Sequence, residues 1–297
     1  MNNRVYLALP PNIMRRAREI VSVRFPEADI GAPDSHQEMF AFASGFGEKA
    51  IPALSVTAYP QMVLRAVSLA SDGRLASPDA KLPPLREEFV SLGMTPPVSA
   101  LRIVSVVPGV LAAAASLSHR LEDWIDLCSP DFPGPVGCPP ADTPMPYLVE
   151  TVFGRLAGER AQNLLKKLDT RSNPIDINKR IASGELSAAL IIPAFARTFR
   201  EGVGRMVWPK SGALAVPVVA CLSADAAPVA HAVLAWLLSD EFQRVIVSDG
   251  VIAPAVSGIP GFDELEASGW NLFWPGWDLL LSVAKTMCSV QLHKEET

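Results

Sequence analysis

The chain has 297 residues, 49% of them apolar, with 26 Lys and Arg against 31 Asp and Glu and a net charge of −5. That length holds about two domains with substantial cores. The charges are spread without a basic block, which argues against a nucleic-acid partner. No run of 18 apolar residues marks direct membrane insertion.

In chain order, residues 4–9 read as a strand that Pro10-Pro11-Asn12 ends. A helix follows over 13–24, with Ile13, Ala17, Ile20 and Val21 on one face and Arg15, Arg16 and Arg18 on the other, solvated one. Residues 25–30 read as a second strand, so the chain opens as a βαβ unit of a parallel sheet. A helix over 34–46 is capped by Asp34 or Ser35, with Glu38 placed as its capping-box partner. A strand over 53–57 leaves through Thr57-Ala58-Tyr59-Pro60 into a helix over 61–70.

Residues 101–107 are a β-branched strand, broken by Pro108-Gly109. A short amphipathic helix at 121–127 turns Trp124 and Leu127 inward, and Gly134 turns the chain toward a strand at Val136. Asp142 or Thr143 is the expected cap of a helix over 145–157, and another helix is expected over 158–168. A helix over 175–183, a buried strand over 187–192 and its exit Pro193-Ala194-Phe195 come next. A strand at 205–208, the turn Pro209-Lys210-Ser211-Gly212 and an apolar strand over 213–222 form a crossover. Helices over 226–238 and 240–248, the second capped by Ser239, and a strand-like piece at 251–255 complete the core.

Three pieces carry a resemblance: Trp208-Pro209 with Gly212-Ala213, Trp124 through Leu127, Pro130, Phe132 and Gly134, and Leu238-Ser239 with Glu241 and Gln243. Their order resembles that of the type II periplasmic-binding-protein fold, the solute-binding proteins of ABC transporters, in the branch for iron and other small ligands. The resemblance covers about residues 4–256. It implies an α/β fold of two lobes, each a mixed, mainly parallel sheet flanked by helices, with the ligand cleft between them. Residues 1–103 with 213–297 would form lobe one and 104–212 lobe two. The implied function is a solute-binding receptor that closes its lobes on a small anionic or polar ligand and delivers it to the membrane subunits of an ABC-type importer. The alternative is a cytoplasmic, ligand-sensing or weakly catalytic relative of the same fold.

Ligands of parallel α/β sheets bind at the carboxyl ends of strands, where helix N-termini offer free N–H groups. The exit loops therefore nominate Asn12, Thr57, Tyr59, Asp142, Thr143, Ala194 and Phe195 as ligand-binding residues, and the crossover turn adds Ser211, with Lys210 beside it solvated. Ferric-binding members of the resembled family carry adjacent tyrosines. This chain has Tyr6, Tyr59 and Tyr147, none adjacent, and Phe195 and Phe199 after the buried strand, which argues against iron. The four histidines, His36, His119, His231 and His293, lack metal-ligand spacing, so no metal and no cofactor are expected. No nucleophile motif or phosphate-binding glycine loop is present, and no enzyme is expected. Cys128, Cys138, Cys221 and Cys288 are expected as free thiols. No apolar leader is visible in the first ten residues, so the chain as written reads as cytoplasmic, or as periplasmic or extracellular if a leader was trimmed.

Overall fold

A computed structural model describes residues 2–295 apart from 49, 78 and 80, and the side chains of those described residues except 118 and 291–295. The chain divides into two compact units: 1–106, 216–262 and 276–297 form unit 1, and 107–215 with 263–275 form unit 2. The expected division placed 263–275 in lobe one. The structure places this segment in unit 2, because Leu272 and Phe273 pair with Ala213 and Leu214.

Unit 1 begins with β1 (Arg4–Ala8), α1 (Pro11–Arg24), β2 (Asp29–Gly31), α2 (His36–Ser44), β3 (Leu54–Thr57), α3 (Pro60–Ser71), β4 (Leu75–Ala76) and α4 (Glu87–Ser91). The long strand β5 (Leu101–Ala114) leads into unit 2. There the chain forms two 3₁₀ turns, Ala115–Arg120 and Trp124–Cys128, then β6 (Val136–Gly137), α5 (Met145–Ala157), a 3₁₀ turn at Gly158–Arg160 and α6 (Ala161–Leu165). It continues with β7 (Leu168–Asp169), α7 (Pro174–Ala182), β8 (Ala188–Ile191), α8 (Pro193–Ala196) and β9 (Gly204–Val207). The second long strand, β10 (Ala213–Ser223), returns to unit 1 and is followed by α9 (Pro228–Leu237), α10 (Asp240–Ser248) and β11 (Ala253–Pro254). Unit 2 then receives α11 (Asp263–Ala267) and β12 (Leu272–Phe273), and α12 (Trp277–Glu295) packs on α3 in unit 1.

In unit 1, β1 lies between β2 and β3, parallel to both, and β10 runs antiparallel to β3. In unit 2, β6 lies between β7 and β8, parallel to both, and β5 runs antiparallel to β8. All four residues of β3 and of β8 are buried, as parallel strands covered by helices on both faces require. The expected break at Pro108-Gly109 does not occur, and β5 continues through it. Pro108 lies outside the pairs that β5 makes with β11 (Ser105, Val106) and with β8 (Val110 onward), and β5 also borders β10, so pairing on both sides of the proline holds the strand together. The helix expected over 158–168 is interrupted instead, because Gly158 takes φ 55° and only five residues of α6 follow the 3₁₀ turn.

Two polar knots hold these layers. In unit 1, the fully buried Gln243 donates from Nε2 to Val104 O (3.0 Å) and Leu237 O (2.7 Å), while its Oε1 accepts from Ala255 N (2.7 Å). One amide thus joins β5, α9 and the end of β11. In unit 2, the buried Asp169 accepts from both Nη atoms of Arg180 (3.1 and 2.9 Å), from Arg171 Nε and from Arg171 N (3.0 Å). Arg180, and then Arg171, hold this carboxyl far below the usual carboxylate range. Cys128, Cys138, Cys221 and Cys288 are free thiols, and burial pushes Cys221 up to about 12.

Gln243→Leu leaves three buried backbone groups without their partner, and urea melts are expected to show a loss of roughly 3 kcal/mol. A loss below about 1 kcal/mol would show that the knot does not hold the unit. Asp169→Asn is expected to cost about 1 kcal/mol at pH 7, because Arg171 is exposed and Arg180 keeps its pair with Glu185. The folded pKa of Asp169 is depressed, so its contribution is complete above the unfolded value of about 3.9 and fades as pH falls below it. The gap between wild type and variant should therefore narrow in melts at pH 3, and a gap independent of pH would contradict the assignment.

Candidate functional site

Because β1, β2 and β3 are parallel, their exits 9–12, 32–36 and 57–60 leave at one edge of unit 1, and a helix starts at each. Pro11 and Pro60 stand in the first turns of α1 and α3, where a missing N–H costs nothing. Ser35 caps α2 by accepting from Glu38 N, as expected, but the Glu38 carboxylate accepts from Asp34 N (2.8 Å), one residue ahead of the cap, so the reciprocal bond of a capping box is not made to Ser35 itself.

The nominated residues of unit 1 fall at this edge. The buried hydroxyl of Thr57 accepts from Tyr59 N (3.1 Å). Tyr59, 3% exposed, places its hydroxyl 3.3 Å from His36 Nδ1 and 3.4 Å from His36 O. Asn12 donates to Gly250 O (2.6 Å), which fixes the amide orientation, and its Oδ1 is buried without a hydrogen-bond partner. That bond ties the turn in which Val251 takes φ 51°, a left-handed angle uncommon for a β-branched residue. Tyr6 is a core residue, stacked on Phe42 with ring centroids 3.6 Å apart; burial, and then Glu38, raise its phenol far above its ordinary value.

A cavity of about 440 Å³ opens at the same edge, between the starts of α1 and α2. Arg15 and Arg18 line one wall and Asp34 and His36 the other, with Met14 and Met39 among the apolar groups. The sequence reading placed both arginines on a solvated face and passed over Asp34 and His36 as binding groups. The available signal was the pairing of β1 with β2, which brings the helix starts after Pro10 and after Ser35 together.

In unit 2, β6 and β8 are parallel, so the loop 138–144 and α8 also share an edge. The cap expected from Asp142 or Thr143 is not formed. Pro144 occupies the cap position, and both the N–H (2.9 Å) and the hydroxyl (2.6 Å) of Thr143 donate to Pro140 O. Asp142 is half-buried. Ala194 and Phe195 form the single turn of α8, where Asn178 of α7 donates to Phe195 O (2.6 Å). Burial, and then Asp142 and Glu150, raise the Tyr147 phenol. Ser211 lies on the crossover turn with its hydroxyl on Asp123, and Lys210 pairs with Glu122. Gly212 there takes φ 105°, and a Cβ would meet the Leu272 carbonyl carbon at 2.8 Å, so no other residue fits. The structure thus brings Thr57 and Tyr59 together beside the cavity and places Ser211 in a turn. A second cavity, about 540 Å³, is lined by Gly134, Lys166, Thr170 and Arg171 next to Asp169.

Among the described residues, no three His, Cys, Asp or Glu side chains come together as metal ligands. His293 lies outside the described side chains. No helix among the described residues is long and apolar enough to cross a membrane.

Residues 64–283 match the family described as bacterial extracellular solute-binding protein. No curated protein matches the chain. Among solved structures, the chain is similar to the apo ferric ion-binding protein A of Pasteurella haemolytica, at 12% identity over 97% of this chain and 96% of that one, with a TM-score of 0.73. It is similar to iron-bound HitA from Pseudomonas aeruginosa, at 18% identity over 97% and 98%, with a TM-score of 0.71. It is also similar to apo FutA2 from Synechocystis PCC6803, at 16% identity over 99% of both chains, with a TM-score of 0.67. The cytoplasmic reading of the chain is not supported, because the matched family is described as extracellular. The chain belongs to the family of bacterial extracellular solute-binding proteins, and its fold is the two-lobe α/β fold of type II periplasmic binding proteins.

Proposed function

We propose that this protein is a non-catalytic receptor that binds a small anionic or polar organic solute outside the cytoplasm and hands it to the membrane subunits of an ABC-type importer. The observation that carries this reading is the edge of unit 1. Three parallel strands deliver three helix starts there, and helix starts present positive dipole ends to an anion. Asn12, Thr57 and Tyr59 sit in those exits. In unit 2 the corresponding strand exits carry Asp142, Thr143, Ala194 and Phe195, and Ser211 follows on the crossover turn; Asp142 would repel an anion that approached its carboxylate.

At least five of the similar structures are described as ferric-binding or iron-bound. The chain departs from phenolate coordination: Tyr6 is in the core, Tyr59 is turned onto His36, and no tyrosine is adjacent to another. We therefore place a bare ferric ion outside this reading.

Native mass spectrometry of freshly purified protein should show a copurified organic mass. A thermal-shift panel of carboxylates, oxyanions, amino acids, sugars and metals should raise the melting temperature with an organic or oxyanion member. A hundredfold excess over Kd corresponds to about 2.7 kcal/mol. Stabilisation by ferric or divalent metals alone, reversed by chelators, would overturn the ligand class.

A further inference from the structure

We propose that the cavity between α1 and α2 recognises one small organic carboxylate that also carries a hydroxyl or ammonium donor, an amino acid or a hydroxy acid. This rests on the receptor reading above and assigns its ligand class. At about 440 Å³, the cavity lies in the range of about 300–1,000 Å³ usual for small-molecule sites.

The argument follows from what each charged group already holds. Arg15 pairs with Glu19 one turn along α1, at 2.9 Å. The Glu38 carboxylate accepts from Asp34 N, within the cap of α2. Arg18, on the same wall as Arg15, has no hydrogen bond or ion pair to any described residue, nor does the Asp34 carboxylate on the opposite wall. The cavity therefore presents a planar guanidinium fork on one side and an acceptor-only carboxylate on the other. A ligand carboxylate can take two parallel bonds from Arg18. A hydroxyl or ammonium on the same small skeleton can donate to Asp34.

The same layout rejects other classes. A phosphate dianion meets the Asp34 charge, a bare metal cation meets two guanidinium groups, and a neutral sugar leaves both charges unmatched. Met14 and Met39 line the remaining wall and adapt to a carbon chain of varied shape. Tyr59 holds His36 through Nδ1 at 3.3 Å, so His36 keeps one face of the cavity in place while Nε2 is left for the ligand. Tyr59 is thereby a positioning residue.

The test is isothermal titration of the full chain with L-methionine, L-serine, lactate, propionate, inorganic phosphate, glucose and ferric citrate, the last against metal-free citrate as its control, on wild type, Arg18→Gln, Asp34→Asn and the control Arg16→Gln. Arg16 is exposed and does not line the cavity. All three positions are exposed, so folding should be retained, with unchanged melting temperatures as the check. At least one amino or hydroxy acid should bind wild type more tightly than propionate. Arg18→Gln should weaken every acid about tenfold or more. Asp34→Asn should weaken the amino and hydroxy acids while leaving propionate unchanged or tighter, and Arg16→Gln should do nothing. If an acid binds wild type and neither Arg18→Gln nor Asp34→Asn moves its Kd by more than twofold, the cavity is not the site, while the receptor reading stands. If no amino or hydroxy acid binds, the class assignment is overturned, whichever other member binds. The receptor reading itself fails only if no solute binds and none copurifies.

Discussion

Every other feature of this protein depends on two long buried strands that belong to both units. All eleven residues of β10 are buried, and twelve of the fourteen of β5. Each strand closes a set of parallel strands in one unit and then serves the other, so neither sheet is complete without the chain returning. Parallel strands need helical crossovers on both faces, and such coverage requires apolar side chains along the whole strand. The interior is therefore mostly apolar; its polar bonds close at Gln243, while Ser55 Oγ and Gln61 Oε1 are buried without a hydrogen-bond partner. Polar side chains open to a solute gather at the strand ends and on the helix faces beside them.

This distribution explains what was legible in the sequence. The bounds of α5 and α10 could be read because Pro144, Ser239 and Asp249 punctuate them. Gln243 was marked by its place in the Leu-Ser-Asp-Glu-Phe-Gln stretch, although its three bonds depend on Val104, Leu237 and Ala255, far apart in sequence. Pro108-Gly109 misled because proline breaks strands only where a ladder needs its N–H, and ladder pairing is not visible locally. The return of 263–275 to unit 2 was hidden for the same reason, since it depends on a two-residue pairing with the start of β10.

The proposed site was half legible. The rule of strand ends led to Thr57 and Tyr59, which lie at the edge of unit 1 but outside the lining of the cavity. It missed Arg15 and Arg18 because a helix face that lines an open cavity has the same polar periodicity as one facing solvent. It also favoured hydroxyl residues, yet the hydroxyls of Thr57, Thr143 and Ser211 are all engaged with the chain itself. Such groups shape turns more readily than they hold ligands, because a short side chain beside its own backbone finds a partner two or three residues away.

The proposed ligand class departs from the iron of the ferric-binding structures that share this fold, and the reason for proposing it lies in where the aromatic residues went. A phenolate ligand needs a tyrosine at a strand exit with its oxygen free to lose a proton. Tyr6 is stacked in the core, where burial favours the neutral phenol, and Tyr59 turns its hydroxyl back onto His36. Phe195 occupies the α8 turn, and its side chain offers no oxygen. What lines the cavity at this edge is a guanidinium on α1 and a carboxylate ahead of α2. A hard trivalent cation is repelled by the first of these. In the proposed reading an organic acid with a donor of its own complements both, by charge and by hydrogen-bond direction.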